Sequence, residues 1–351
     1  MNRQSEILTK WYKKQNYSMP WRKYNTSYHI WISEIMLQQT KVNTVIKYYN
    51  TWMHNFKNIE SIASSSIDNI LKLWEGLGYY QRAHNIHETS KIIISKYNGK
   101  LPETYEELIL LKGIGDYTAS AILSISNNQS YPAIDGNLKR VIARLAGIDD
   151  FKNIVPKSKE YVSQLMDNYK PSIINQSIMD LGREICISKN PKCTICPLSS
   201  QCAAYIQKSI SRYSLKSKHK VIPNYDVAVG MIWKDNQILI SKRKKKGLLG
   251  GLWELPGGKL EAGEKYEDCL NRELREELNI DIKINKKIGI IKHKYSHFSI
   301  NMTGYNCNLI SGNPKPLASD LIKWINIDEI SKYAFPKSTL KLFLLGGYTF
   351  E

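Results

Sequence analysis

The chain has 351 residues and 42% hydrophobic content, enough for roughly two domains with buried cores. Its net charge of +18 favours a polyanionic partner, although an AT-rich genome would also encode many lysines. Residues 1–222 carry 30 Lys/Arg against 17 Asp/Glu, and residues 223–351 carry 20 against 15. With no apolar run of about 18 residues and no apolar signal core, the sequence excludes a membrane protein and predicts a cytoplasmic one.

The first region is predicted to be helical, with no convincing strand pattern before about residue 224. Apolar spacing predicts a short N-terminal helix, a helix over residues 30–53 capped by Thr26 or Ser27, and a helix beginning at Pro102. Residues 150–185 are also predicted to be helical. The sequence therefore predicts an all-α first region.

Glu34 stands inside an otherwise apolar turn of the helix predicted over residues 30–53, one turn from Gln38. A single Glu at such a position more often faces solvent. The alternative is a carboxylic acid in a semi-dry pocket, with a raised pKa and ready to donate a proton.

A DNA-binding hairpin is predicted in the stretch that follows Leu111. It opens with Leu111-Lys112-Gly113-Ile114-Gly115, a glycine-rich turn between two helical patterns whose backbone amides suit a DNA phosphate. Asp135 comes later, ahead of a basic helix over Leu138–Leu145. Asp before a helix is often only a cap. Together with its flanking segments, Asp135 is predicted to be a catalytic carboxylate.

Four of the six cysteines, Cys186, Cys193, Cys196 and Cys202, have the spacing C-x6-C-x2-C-x5-C. In a reducing compartment such a group binds a metal centre rather than forming disulfides. Zinc is the usual alternative, but zinc ribbons generally use two C-x2-C pairs and only one pair is present here. The spacing favours a [4Fe–4S] cluster.

The hairpin at Leu111–Ala119, Asp135 and the cysteine loop together resemble the endonuclease III superfamily of DNA glycosylases. Within it, residues 20–215 are similar to the MutY-type adenine DNA glycosylases. The matching motifs are Pro20-Trp21-Arg22, Trp31–Thr40, Gly76–Tyr80 and Ile134–Asn137.

This resemblance implies a helix–hairpin–helix glycosylase domain over residues 1–212. One lobe with the hairpin would span residues 31–138, and a second lobe would combine residues 1–30 with 139–212. The iron–sulfur loop would occupy residues 186–202. A monomer would bind double-stranded DNA that carries adenine opposite 8-oxoguanine.

The resemblance also implies the catalytic roles. Glu34 would protonate N7 of a flipped-out adenine, Asp135 would stabilise the sugar cation, and Tyr117 would orient or shield the sugar. Endonuclease III has a lysine nucleophile where this chain has Tyr117, so a monofunctional glycosylase is expected. The DNA contacts implied are Arg22, Gln38, Gln39, Tyr79, Lys112, Gly113, Ile114, Gly115 and Asn137. Gln39 and Tyr79 resemble wedge residues, which ordinary packing would also explain.

The second region begins after a basic, polar linker predicted over residues 213–223. Strands are predicted over residues 226–233, 237–241, 283–292 and 299–309, with a helix over Tyr266–Leu278. An α+β domain over residues 224–351 follows from this pattern.

Residues 258–280 resemble the Nudix box of MutT-type pyrophosphohydrolases, and they implicate Gly258, Glu264, Arg272, Glu273, Glu276 and Glu277. Asn279 stands where the box usually has glycine, and Asn is the best substitute in a left-handed turn. The three glutamates 273, 276 and 277 share a helical face and suit Mg²⁺. A solvated, charge-laced helix is the alternative.

A Nudix-like domain in the MutY-type family is used to recognise 8-oxoguanine, and its box has usually decayed, whereas here it looks intact. The segment Tyr295-Ser296-His297 resembles the family's Phe-Ser-His recognition loop, with Tyr for Phe. The second region is therefore expected to recognise 8-oxoguanine. It could also hydrolyse 8-oxo-dGTP as a main second activity, or serve purely as a lesion reader.

Overall fold

The computed structural model describes residues 2–15, 17–213 and 221–349. Two compact units make up the chain, one of residues 1–64 and 85–218, the other of residues 65–84 and 219–351. Most of the linker predicted over residues 213–223 lies outside the described residues.

Helices are the regular elements that the described residues form before position 224, as predicted. They are α1 (Asn2–Gln15), α2 (Ser27–Leu37), α3 (Val42–Asn55), α4 (Ile59–Ser64), α5 (Ile67–Trp74), α6 (Gln81–Tyr97), α7 (Tyr105–Leu108), α8 (Asp116–Asn127), α9 (Gly136–Ala146), α10 (Ile154–Met166), α11 (Pro171–Glu184) and α12 (Ala203–Ile206). None of the helices in the described ranges is long and apolar enough to cross a bilayer.

The single helix predicted over residues 30–53 is wrong, because α2 ends at Leu37 and α3 begins at Val42. Gln39 between them has a φ of 55°, and a left-handed residue cannot continue a right-handed helix. Thr26 caps α2, since its side chain accepts from the His29 amide at 3.4 Å.

The helix predicted to begin at Pro102 is also wrong, because α7 begins three residues later and has one turn. Thr104 precedes it in an extended conformation, with φ −111° and ψ 148°, so the chain turns into the helix only at Tyr105.

The core of the first unit forms where α1, α9, α10 and α11 pack together. Leu8, Leu138, Val162 and Ile178 from these four helices are all fully buried in it. Helix α2 packs against α8, and α8 packs against α11. Helix α11 also packs against α9, so α8 and α9 are both held against α11.

The second unit contains a mixed sheet of β1 (Asn224–Lys234), β2 (Gln237–Lys242), β3 (Trp253–Glu254), β4 (Gly257–Lys259), β5 (Asp281–Lys294), β6 (Ser299–Ser311) and β7 (Leu321–Asn326). The strand order is β3-β2-β1-β6-β5, with β4 on β1 and β7 on β2. Strands β1 and β6 are parallel and the other pairs antiparallel.

Two helices cover the sheet of the second unit. Leu270 and Leu274 of α13 (Tyr266–Leu278) belong to one buried cluster, and Leu342 and Phe343 of α14 (Lys337–Leu345) belong to another. Helix α13 has the predicted bounds, and Asn279 ends it with φ 56° and ψ 48°. The left-handed turn expected at Asn279 is therefore confirmed.

Candidate active site

A cleft of about 980 Å³ in the first unit gathers most of the predicted catalytic and DNA-contact residues. Its walls come from the end of α2, the beginnings of α8 and α9, and the inner face of α11. The predicted site residues that line it are Arg22, Glu34, Gln38, Gln39, Gly115, Tyr117, Asp135 and Asn137.

Glu34 is 5% exposed and lines the cleft from α2, so the alternative that it faces solvent is wrong. Burial raises the pKa of this carboxyl to about 7, and the charge of Asp135 adds to the rise. A hydrogen bond from Tyr117 and the charge of Arg22 oppose it. Glu34 thus retains a transferable proton near neutral pH.

Tyr117, in the first turn of α8, is bonded to Glu34. Its hydroxyl donates to Glu34 Oε2 at 2.7 Å. Burial raises the pKa of Tyr117 well above its usual value, and the Glu34 and Asp135 charges add to this. The hydroxyl therefore keeps its proton and acts as a donor.

Asp135 is the N-cap of α9, since its Oδ1 accepts from the Leu138 amide at 2.7 Å. It also lines the cleft, so its capping role leaves it within the candidate site. Burial raises its pKa, while the amides of Leu138 and Asn137 and the charges of Arg140 and Lys139 oppose that rise. A helix N-terminus favours an anion, so of the two carboxyls Asp135 is the better placed to be ionised.

Asp180 on α11 is a cleft residue that sequence reasoning missed. Its carboxylate accepts from Arg22 Nη1 at 2.7 Å and from Nη2 at 2.9 Å, and Arg183 approaches it to 3.2 Å. The Asp180 side chain is 1% exposed. An acidic residue on the buried side of the amphipathic α11 was the sequence signal. Arg22 is thus fixed in the wall of the cleft.

The hairpin joins α7 to α8 as predicted. Gly113 has a φ of 81°, and a Cβ there would lie 2.9 Å from Cβ of Asn85, so glycine is required on both grounds. Gly115 is the N-cap of α8 and has open space around it, while Ile114 is buried. Lys112 is exposed and pairs with Glu88 at 2.5 Å.

The second unit places Tyr79 beside the predicted recognition loop. Residues 295–298 join β5 to β6, with Ser296 and His297 exposed. Tyr295 is half-buried, stacks on Phe298 with ring centroids 4.6 Å apart, and bonds Ser338 Oγ through its hydroxyl at 2.7 Å. The His297 and Tyr79 rings lie 6.1 Å apart in a T-shaped arrangement.

The Nudix-like segment forms a compact acidic site around the end of β4 and the face of α13. Arg272 donates to Glu264 at 2.8 and 3.0 Å and lowers the pKa of that carboxyl to about 2. A Cβ on Gly258 would lie 2.2 Å from Cδ of Glu273, so glycine leaves the room that this carboxylate occupies. Arg272 also pairs with Glu273 and Glu276, at 3.2 and 3.3 Å.

Glu254 on β3 is a second residue that sequence reasoning missed, although it stands in the Trp-Glu-Leu-Pro-Gly segment before the box. Burial raises the pKa of Glu277 to about 7, and the charges of Glu254 and Glu273 add to the rise. Arg243 pairs with Glu254 at 2.5 Å. Glu254 on β3 therefore adds negative charge to the surroundings of Glu277 on α13.

Comparison with known proteins matches a different family to each of the two units. The family "HhH-GPD superfamily base excision DNA repair protein" matches residues 32–171, and the family "NUDIX domain" matches residues 228–345. The "Adenine DNA glycosylase" of Buchnera aphidicola subsp. Schizaphis graminum is 39% identical over 309 residues, which cover 87% of each chain. This chain belongs to the adenine DNA glycosylase family.

Solved structures support the fold of this adenine DNA glycosylase family member. A thermostable thymine-DNA glycosylase is 27% identical, with a TM-score of 0.55, and the match covers 58% of this chain and 95% of that one. Endonuclease III in a non-covalent DNA complex is 20% identical, with a TM-score of 0.51, and covers 59% of this chain and 98% of that one. The expected helix–hairpin–helix glycosylase fold is confirmed, and the protein is a DNA glycosylase of base-excision repair.

The cysteine loop follows α11 in this adenine DNA glycosylase family member. Cys186, Cys193, Cys196 and Cys202 are half-buried, and three of them pack on the core that contains Leu198. Burial raises the pKa of Cys196 to about 12, and negative charge on Cys186, Cys202 and Cys193 adds to the rise. No group of three or more His, Cys, Asp or Glu side chains able to hold a metal ion occurs in the described ranges.

Proposed function

We propose that this glycosylase removes adenine paired with 8-oxoguanine, or with guanine, from double-stranded DNA. The observation that carries the proposal is the placement of Glu34 and Asp135 in one cleft, with Tyr117 hydrogen-bonded to Glu34. The two carboxyls have different environments, which suits one to act as an acid and the other as an anion.

The chemistry begins when adenine leaves the helical stack and enters the cleft, since its glycosidic bond is inaccessible inside a duplex. Glu34 donates its proton to N7, the C1′–N9 bond breaks, and adenine leaves with the bonding electron pair. The ionised Asp135 stabilises the positive charge on the sugar. Water then adds to C1′ and gives up a proton to the Glu34 carboxylate, which leaves an abasic site and restores the acid.

The reaction should stop at base removal. A β-lyase step needs an amine that forms a Schiff base with the sugar, and Tyr117 occupies the position where endonuclease III has a lysine. Tyr117 keeps its hydroxyl proton and holds Glu34, so its role is to position the acid and shield the sugar.

The residues proposed to contact DNA lie in different parts of the first and second units. Arg22 and Gln38 line the wall of the cleft, where Asp180 orients the first and Thr118 accepts from the second at 3.4 Å. Asn137 lies at the beginning of α9, and Gln39 lines the cleft between α2 and α3. Gln39 and Tyr79 are each proposed to act as a wedge in the DNA stack. The hairpin residues, Lys112, Gly113, Ile114 and Gly115, would bind phosphate through their backbone amides.

Recognition of 8-oxoguanine is assigned to Ser296 and His297, which are exposed at the tip of the β5–β6 hairpin. Tyr295 would hold this loop rather than read the base, since its ring stacks on Phe298 and its hydroxyl bonds Ser338. Chromosomal DNA as substrate would place the protein in the cytoplasm, and a cleft formed within a single chain suits a monomer.

The test is single-turnover release of adenine from duplexes that differ only in the opposite base: 8-oxoguanine, guanine or thymine. We expect the native protein to release adenine opposite 8-oxoguanine and opposite guanine. We expect Glu34→Gln to release none. Borohydride should trap no protein–DNA adduct. Equal release opposite thymine would contradict the proposed specificity, and a trapped adduct would contradict the monofunctional mechanism.

The cysteine loop is proposed to hold a [4Fe–4S] cluster through Cys186, Cys193, Cys196 and Cys202. The four cysteines are half-buried, three of them pack on the same core, and the superfamily carries such a cluster. Bound iron would order this loop and leave the glycosylase chemistry to the cleft. About four iron and four sulfide per chain, lost in Cys202→Ser, are expected from anaerobic purification. Stoichiometric zinc instead would contradict the assignment.

The acidic site of the second unit is proposed to bind Mg²⁺ and hydrolyse 8-oxo-dGTP to the monophosphate and pyrophosphate. Glu273, Glu276 and Glu277, with Glu254 beside them, offer the oxygen ligands that Mg²⁺ prefers. Bound Mg²⁺ would neutralise the charge of the phosphates. Product from the native protein but not from Glu277→Gln is expected. No product over a panel of nucleoside triphosphates would favour the alternative of a lesion reader.

A further inference from the structure

The turn between α5 and α6 is held in an unusual backbone conformation. Gly76 and Gly78 have φ values of 89° and 78°, and Tyr79 has a φ of 51°. Positive φ is easy for glycine and strains a tyrosine, so surrounding contacts must hold Tyr79 in place. The residue proposed as a wedge is therefore the strained member of this turn.

Arg82, in the first turn of α6, makes the contacts that hold this turn. Its side chain is buried, with the guanidinium carbon 5.3 Å from the ring of Trp74 and 5.4 Å from the ring of Tyr79. Nη2 donates to the carbonyl of Gly78 at 2.9 Å and to that of Leu77 at 3.4 Å. The Arg82 side chain thus contacts both the ring of Tyr79 and the carbonyl of Gly78, the residue just before it.

The shape of a guanidinium explains why arginine stands here. A planar cation can stack on aromatic rings while its edges donate to carbonyl oxygens, which a lysine ammonium cannot do in the same way. Trp74 reinforces the arrangement, because its Nε1 also donates to the Gly78 carbonyl, at 3.0 Å. Burial lowers the pKa of Arg82 to about 10, so it still carries its charge at neutral pH.

We propose that Arg82 is a positioning residue that keeps Tyr79 in its left-handed conformation, ready to fill the stack when adenine leaves it. The inference rests on the wedge role proposed for Tyr79. A wedge already fixed before DNA binds loses little entropy when it inserts, which favours flipping of the base. Arg82 acts through Tyr79 and makes no contact with the reacting atoms.

The test compares adenine release from two DNA substrates in the full-length protein. One carries a fully paired adenine opposite 8-oxoguanine. The other carries the same adenine between two abasic-site analogues, so that its unstacking is already complete. A wedge matters for the first substrate and not for the second, whereas damage to the fold affects both.

Arg82→Met should slow single-turnover release about tenfold on the paired substrate, because the buried cation–π contact with Tyr79 disappears. Release from the unstacked substrate should stay native. Arg82→Lys should show a smaller loss than Arg82→Met, because lysine keeps the positive charge but lacks the planar guanidinium group. Fluorescence of 2-aminopurine next to the mispair should show slower unstacking in both variants.

A double mutant and a matched control complete the design. If Arg82 acts through Tyr79, then Arg82→Met combined with Tyr79→Leu should be no slower than Tyr79→Leu alone. Arg212→Met is the control, since Arg212 also stacks on a tyrosine, Tyr213, at 5.9 Å but stands at an exposed site outside the turn. It should leave both substrates unaffected.

Equal losses on both substrates, or additive effects in the double mutant, would overturn the inference. If Tyr79→Leu slows the paired substrate but Arg82→Met does not, the inference fails while the wedge proposal stands. If Tyr79→Leu itself affects neither substrate, the wedge proposal fails and the inference fails with it. If Arg82→Met does not fold, Arg82→Lys decides the question. Slower release by Arg82→Lys on the paired substrate alone supports the inference, and native release by Arg82→Lys on that substrate refutes it.

Discussion

Replacement of Tyr117 by Phe should move the pH dependence of adenine release upward. The Tyr117 hydroxyl donates to Glu34 at 2.7 Å and lowers the pKa of a carboxyl that burial and Asp135 raise to about 7. Because release requires the protonated acid, the native rate should fall as the pH rises through about 7. Loss of the donor destabilises the ionised form, so the pKa rises further.

The size of the shift follows from the burial of this pair. A hydrogen bond to a charged group contributes roughly 1.5–3 kcal/mol, and one pKa unit corresponds to about 1.4 kcal/mol. Glu34 is 5% exposed, so water replaces little of the lost bond. The alkaline limb of the rate profile should therefore move up by about one to two pH units. The plateau rate should fall, since Glu34 is less well fixed.

The assay is single-turnover release of adenine across the pH range in which duplex DNA stays paired. Tyr305→Phe is the matched control, because Tyr305 also donates to a glutamate, Glu267, at 2.7 Å, but in the second unit. It should leave the profile unchanged. An unchanged or downward-shifted limb in Tyr117→Phe would refute the assignment of Glu34 as the proton donor.

Three further changes test other parts of the account. Asp180→Ala leaves Arg22 without the carboxylate it bonds in the cleft wall, and it should destabilise the protein by about 3 kcal/mol, measured by denaturant unfolding. Gly113→Ala should weaken duplex binding and cost about 1–3 kcal/mol of stability, since φ is 81° there. Gly258→Ala should displace the Glu273 carboxylate and weaken Mg²⁺ binding, measured by calorimetry.

Each of these three predictions has a result that would contradict it. Native stability of Asp180→Ala would show that the ion pair with Arg22 is dispensable. For Gly113→Ala the control is Gly136→Ala, where a Cβ meets open space, and equal stability loss in the two would argue against strain at the hairpin. Unchanged Mg²⁺ affinity in Gly258→Ala would remove Glu273 from the proposed metal site.

Much of the fold could be predicted because local patterns coincide with the elements. Apolar spacing and a following Asn279 define both ends of α13, and alternation with an Asp-Asn turn defines the β1–β2 hairpin. Glu34, Tyr117 and Asp135 were named from motifs, and the structure brings them into one cleft. Their burial, which sets the environment of each carboxyl, depends on how α2, α8 and α9 pack.

The features that could not be predicted from the sequence depend mostly on contacts between residues far apart in the chain. Arg22 and Asp180 are separated by 158 positions, and nothing local marks them as partners. The break between α2 and α3 was missed because the segment around Gln39 continues the helical spacing. The paired rings around Arg82 were missed for a related reason, since a lone arginine early in a helix ordinarily indicates an exposed side chain.

The most direct test of the central claim is the effect of Asp135→Asn on the proposed substrate, with binding and base release measured separately. The amide keeps the shape of the side chain and its cap on α9, but it removes the negative charge from the cleft. The account predicts near-native affinity for a duplex with adenine opposite 8-oxoguanine, and a loss of at least about 100-fold in single-turnover release. Release at the native rate would contradict the assignment of Asp135 as the stabilising anion.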